Sequence, residues 1–170
     1  MPWFANWTDW AALGLAIAFA SVFSILTIRQ HDAFRTFALD LAKFDQAIWN
    51  TLQGRFLFST LQNQSILANH FSPLMALLAP LFLVLSNVRV LFVVQAVGLA
   101  VAGLLLYAIP RVKQPVVALG FLLAFYLNPA LHEVALVEFR RITLAVPFLA
   151  MAYYGLYARR RGRMVAGLLL

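Results

Sequence analysis

The chain has 170 residues, 64% hydrophobic and 11% charged, with a formal net charge of +7 and no cysteine. Soluble domains carry about 45–50% apolar and about 25% charged residues, so this composition, with a mean hydropathy of +0.86, excludes water-soluble enzymes, disordered chains and disulfide scaffolds together. Without cysteine there is no thiolate metal site or cysteine nucleophile, and in a membrane chain the basic excess reports topology and headgroup contacts before nucleic acid.

Charge-free intervals predict membrane-spanning helices at 10–28, 90–110, 114–131 and 142–158, each near the length of about 20 residues that a bilayer demands. The first reads as an uncleaved helix rather than a signal peptide. No Lys or Arg precedes it, its apolar stretch exceeds an ordinary h-region, and no small-residue cleavage site follows. A last apolar run opens at 164 and stops at 170, so the sequence reads as the front part of a longer protein. Small residues at helix-packing spacing (Ala12, Ala16, Ala20; Gly98, Ala102) indicate a bundle. The fold class expected is an all-α, polytopic integral membrane helix bundle forming a single membrane domain over 1–170.

Between the first two spans lies a polar excursion, 29–89. Phe37, Leu41, Phe44, Ile48 and Leu52 share one arc of a predicted helix, with Lys43, Asn50 and Gln53 opposite and Gly54 as its C-terminal cap. Such a helix is expected on the membrane surface, with Trp49 at interfacial level. Asp40 and Asp45 stand about 140° apart on it, so they do not form a dyad. Asp40 reads either as a cap or partner of Lys43, or as a general base for a hydroxyl acceptor. Asp45 reads as a solvated edge position or a substrate contact. Arg29, Arg35 and Arg55 bracket the helix, as headgroup anchors or as a grip on a lipid phosphate.

The run 73–86 predicts a short helix, too brief to span and interrupted by Pro80. Raw charge counting favours its crossing the membrane; its length, and the weakening of the charge rule over long loops, favour its staying on the outer side. In the non-crossing arrangement Arg111, Lys113, Arg159, Arg160, Arg161 and Arg163 face the cytoplasm. The excursion then shares the outer face with the tip 132–141, which carries His132, Glu133, Glu138, Arg140 and Arg141. An exposed Glu–Arg pairing is the simple reading of that tip. The histidines at 31, 70 and 132 have no metal-ligand spacing, and no hydrolase, nucleotide-loop or zinc-protease motif is present.

The stretches DLAKFDQAIWNTLQGRFLF, NHFSPLMALLAPLF, YLNPAL and VEFRRITLAVPFLA resemble an uncharacterised family of predicted prokaryotic membrane proteins, domain of unknown function 2079. More distantly, the order of features resembles the GT-C membrane glycosyltransferases, among them protein mannosyltransferases and aminoarabinose transferases. That resemblance implies a GT-C-like N-terminal part with juxtamembrane helices in its first outer loop. It also implies transfer of a sugar from a polyprenyl-phosphate-linked donor to an unidentified acceptor at the extracytoplasmic face of the cell membrane. Asp40 matches the loop acid, His70 with Pro73 the helix-start motif, and Glu138 the second acid. Asp40 and Glu138 are thereby the expected catalytic residues, and Arg29, Arg35, Asp45, Arg55, His70 and Arg140 the expected substrate contacts. A divalent cation enters only through the same resemblance. The sequence departs from the pattern in having a single acid before Leu41, Phe71-Ser72 within the helix-start motif, and Phe139-Arg140 after Glu138. Two other readings stand beside it: a transporter or lipid-handling protein, which would place ionisable groups within the spans, and a non-catalytic structural subunit.

Overall fold

A computed structural model describes residues 6–69, 71–111, 113–158 and 161–169. The chain is mostly helical. Its elements are α1 (Trp7–Asp32), α2 (Ala38–Leu52), a hairpin of β1 (Phe58–Ser59) and β2 (Gln64–Ser65), α3 (Ala79–Val84), α4 (Arg89–Tyr107), α5 (Pro115–Tyr126), α6 (Pro129–Leu136), α7 (Ala145–Tyr157) and α8 (Arg161–Leu169). Single 3-10 segments at Ile66–Ala68, Pro73–Leu78 and Arg141–Leu144 complete it.

Among the described residues α1 and α4 are long and apolar enough to cross a membrane, and α5 with α6 would make a third span if the bent pair is one. α1 is apolar on every side. Its Ala12, Ala16, Phe19 and Phe23 are buried in the bundle, while Trp10, Ile17, Val22 and Ile25 stay exposed. A helix apolar all round belongs in hydrocarbon, where the outward face has no water to disorder.

Ion pairs fix the direction of the pair. Arg89 donates to Asp32 from Nη2 at 2.7 Å and Nε at 3.1 Å, joining the end of α1 to the start of α4. At the other end Asp9 accepts from Arg111 Nη1 at 2.7 Å and from the Tyr107 hydroxyl at 2.9 Å. The two helices are therefore antiparallel, and everything from 33 to 88 leaves and returns at the same end of them. We call it the α2 end.

The apolar arc read from the sequence exists in its middle: Leu41, Phe44 and Ile48 are buried and Leu52 partly so, whereas Phe37 sits at the N-cap, outside the helix, and is exposed. Gly54 just past the helix has φ +79°, the left-handed conformation that favours glycine at this position. These side chains pack on Met75, Leu78, Phe82, Leu91 and Phe139. The α2 face expected on lipid is thus covered by protein, because the 3-10 segment and α3 fold back beneath it. The opposite edge of α2 holds the hairpin: Gln46 Oε1 accepts the Thr60 N–H at 2.8 Å, and Asn50 Nδ2 donates to the Phe58 carbonyl at 2.9 Å.

The apolar stretch 114–131 is divided, α6 leaving α5 at 51°. Asn128 explains the break, since its side chain accepts the Ala130 N–H at 2.9 Å and Pro129 opens the new helix. Much of the predicted tip 132–141 is consequently helical, and only 137–140 runs extended before the next 3-10 turn. The stretch 142–158 begins in that turn and becomes α7 at Ala145.

Candidate functional site

The chemistry gathers at the α2 end, in two concavities on either side of α2. One, of about 300 Å3, is lined by Asp40 and Phe44 from α2 and by Glu138, Phe139, Arg140, Arg141 and Ile142 from the segment between α6 and α7. Residues nearly a hundred positions apart meet here because Phe139 is fully buried beside Phe44, ring edge to ring face at 6.1 Å. That contact seats the 137–140 segment against α2.

A second anchor comes from inside α4. Gln95 is buried, and its Oε1 accepts the Arg140 backbone N–H at 2.8 Å while its Nε2 donates to the Val134 carbonyl at 3.2 Å. The Thr143 hydroxyl lies 3.0 Å from the same Oε1 and 2.6 Å from the Arg140 carbonyl, its single proton serving one at a time. An extended segment has no ladder of its own, and Gln95 supplies the partners that a strand neighbour would.

Within this concavity Glu138 is buried, with Arg140 Nη2 at 4.0 Å, and Arg140 itself stands outward. Asp40 is exposed and ion-paired to Lys43 Nζ at 2.5 Å. The simplest sequence reading of Asp40, a partner for Lys43, therefore holds in the structure, and it leaves the second carboxylate oxygen for another ligand. Arg141 sits 5.7 Å above the Phe44 ring, a cation on an aromatic face. Arg141 and Ile142 also line a neighbouring groove of about 460 Å3, walled by Leu74, Met75, Leu144, Leu168 and Leu169. Polar cleft and apolar groove thus share one guanidinium.

The second concavity, of about 520 Å3, lies across α2 and is lined by Asp45, Trp49, His31, Asn87 and Arg89, among others. Asp45 is half-buried and its carboxyl is raised above its ordinary range by burial, an effect that the neighbouring His31 offsets in part. His31 is oriented through Nδ1, 3.0 Å from the Thr36 hydroxyl oxygen.

The expected site residues are divided accordingly. Asp40, Glu138 and Arg140 share one concavity and Asp45 lines the other. Arg29, Arg35 and Arg55 are exposed and line neither. His70 lies outside the described residues. Among the described residues no group of three or more His, Asp or Glu side chains is placed to hold a metal ion.

Two contributors to the site, Gln95 and Arg141, are not among the candidate site residues read from the sequence, and neither is Asp9 at the opposite end. Gln95 is the one amide in an otherwise apolar helix, and a polar side chain inside a span is a signal in itself. Arg141 reads in the sequence as one of two adjacent tip arginines, and it is the one that lines both the cleft and the neighbouring groove. Asp9 falls one position before the charge-free interval that defined the first span.

A family model described as "Predicted membrane protein (DUF2079)" matches residues 30–170. No curated protein matches the chain. No solved structure matches it either.

Proposed function

The chain belongs to this DUF2079 family of predicted membrane proteins, and on that premise we propose that it is a GT-C-type transferase, moving a sugar from a polyprenyl-phosphate carrier to a hydroxyl acceptor at the extracytoplasmic face. The observation that carries the reading is the junction at Arg141, where a cleft holding Asp40 and Glu138 adjoins an apolar groove. A lipid phosphate has the same two-part chemistry, an anionic head and a long apolar tail.

In this reading Arg141 and Arg140 take the carrier phosphate by charge-assisted hydrogen bonds and neutralise it as it leaves the sugar. The isoprenoid tail follows Met75, Leu144 and Leu168 toward the bilayer. Asp40 accepts the acceptor's proton through the oxygen that Lys43 leaves free, and Glu138 orients the sugar hydroxyls. Atoms balance: the acceptor oxygen forms the bond to the anomeric carbon, the carbon–phosphate oxygen bond breaks, and the proton passes to Asp40. Orientation is part of the proposal. The basic positions Arg111 and Lys113 belong to the end opposite α2, where Arg111 pairs with Asp9, and the charge rule assigns that end to the cytoplasm.

The test uses the protein in lipid nanodiscs with polyprenyl-phosphate-linked radiolabelled hexoses and pentoses, following label lost from the lipid phase. Asp40→Asn is expected to slow transfer by at least about 100-fold, the lower range for a general base, at an unchanged membrane level. Arg141→Ala is expected to weaken binding of polyprenyl monophosphate by about tenfold, the loss of a charge-assisted contact. Transfer at the wild-type rate by Asp40→Asn would remove the catalytic assignment.

A further inference from the structure

The cleft on the far side of α2 takes no part in the transfer scheme, yet it is built from groups of unusual complementarity. Its volume, about 520 Å3, lies within the roughly 300–1,000 Å3 range of small-molecule sites. Asp45 makes no hydrogen bond among the described residues, although it is half-buried, and the indole of Trp49 is half-exposed beside it one helical turn on. Asn87 uses only its side-chain oxygen, accepting the Arg89 N–H at 2.9 Å, so its amide hydrogens remain for a ligand. His31 is held at Nδ1 and keeps Nε2 for the cleft. Arg89 is already neutralised by Asp32.

These facts discriminate among ligands. An anion would meet the Asp45 carboxylate with the cleft's arginine already committed to Asp32. A metal ion would find one free carboxylate and one imidazole, short of a ligand set. An apolar ligand would strand the Asp45 carboxylate and the Asn87 amide hydrogens, at a cost for each. A neutral polyhydroxylated ring satisfies all of them. Its hydroxyls donate to Asp45 and accept from Asn87 and the imidazole, and its axial C–H face lies on the indole.

We propose that the cleft formed by His31, Asp45, Trp49 and Asn87 is a binding site for a neutral pyranose, a saccharide site separate from the Asp40–Glu138 cleft. It does not rest on the transferase reading, since recognition of a sugar there requires no reaction. The same ring chemistry is offered by a free saccharide and by the headgroup of a glycolipid.

Saturation-transfer NMR on the full chain in nanodiscs tests it with methyl glycosides of glucose, mannose, galactose and N-acetylglucosamine, and in parallel with nanodiscs containing the matching glycosyl diacylglycerols. At least one series is expected to bind. Preference for the glycosides identifies a soluble saccharide, and preference for the lipids a glycolipid. Asp45→Asn, which preserves shape, is expected to weaken binding by about tenfold through the lost charged acceptor. Trp49→Ala should do the same and Trp49→Phe restore most of it, with thermal midpoints that stay at the wild-type value, which a merely structural role would not allow. Asp40→Asn, across α2, should bind saccharide as the wild type does even where it transfers nothing, so the two proposals fail separately. Absence of binding in both series, or equal binding by wild type, Asp45→Asn and Trp49→Ala, would overturn the assignment.

Discussion

Gln95, buried midway along α4, accepts the backbone N–H of Arg140 at 2.8 Å and thereby sets where Glu138 stands. Replacing it with Leu keeps the helix apolar but leaves the Arg140 N–H and the Val134 carbonyl unpartnered, at roughly 1–3 kcal/mol for each buried group. Gln95→Leu is expected to lower the thermal midpoint by several degrees. It should also change the distance between spin labels attached at 40 and 138, measured at a temperature where the variant is still folded. An unchanged midpoint and label distance would mean that Phe139 alone seats the segment.

At the opposite end the buried pair Asp9–Arg111, reinforced by Tyr107, ties the first turn of α1 to the chain just beyond α4. Removing one partner leaves an uncompensated charge, with a cost of about 3–5 kcal/mol, whereas removing both together costs far less than the sum. Asp9→Asn and Arg111→Met should each be strongly destabilising, and the double variant should recover part of the loss. A double-mutant cycle in detergent, followed by thermal unfolding, checks it; additive losses would show that the pair contributes no coupling.

Both of these contacts join residues about 45 or 100 positions apart, and that separation is why neither was legible in the sequence. What could be read was local. The arc of Leu41, Phe44 and Ile48 and the cap at Gly54 follow from helical period and glycine conformation, and they are present. The apolar intervals behind α1 and α4 were equally visible. Which side of α2 faces protein was not, because an amphipathic period is the same whether lipid or a neighbouring 3-10 segment covers it. The division of 114–131 did carry a local signal in Asn128-Pro129, a cap followed by a helix start, which its overall hydropathy masks. Asp40 and Glu138 come to line one cleft through contacts such as those of Phe139 and Gln95, and the sequence points to the two acids by resemblance rather than by geometry.

Two glycines of α4 separate packing from propensity. A methyl group at Gly103 would lie 2.5–2.7 Å from the Tyr126 ring, and that ring is held in place by its hydroxyl donating to the Ala100 carbonyl at 2.6 Å. At Gly98 the nearest atom to such a methyl, in Pro147, is 3.7 Å away. Gly103→Ala is therefore expected to destabilise by about 1–3 kcal/mol through overpacking, and adding Tyr126→Leu should relieve part of it. Gly98→Ala should be neutral or stabilising, as an added Ala in a helix normally is. Thermal unfolding of the three variants decides; equal effects at 98 and 103 would contradict the α4–α5 packing.

Asp45 gives the protein a stability that depends on pH in a definite direction. Burial raises its carboxyl above the ordinary value of 3.8, so in the folded state the ionised form is disfavoured relative to the unfolded chain. The resulting penalty is fully present above the folded pKa, shrinks as pH falls through it, and is gone below the unfolded value. Asp45→Asn removes the charge and should raise the thermal midpoint at pH 7 by about 1–2 °C, a small gain because the group is half-exposed and solvent screens it. The gain should diminish steadily as pH is lowered toward 4. His31 and Arg89 face the same cleft, and Arg89 is paired with Asp32, so the comparison is best repeated in a His31→Gln background to isolate the carboxylate. No gain from Asp45→Asn at pH 7 would place the carboxylate in water instead, and a gain that did not change with pH would have a cause other than its ionisation.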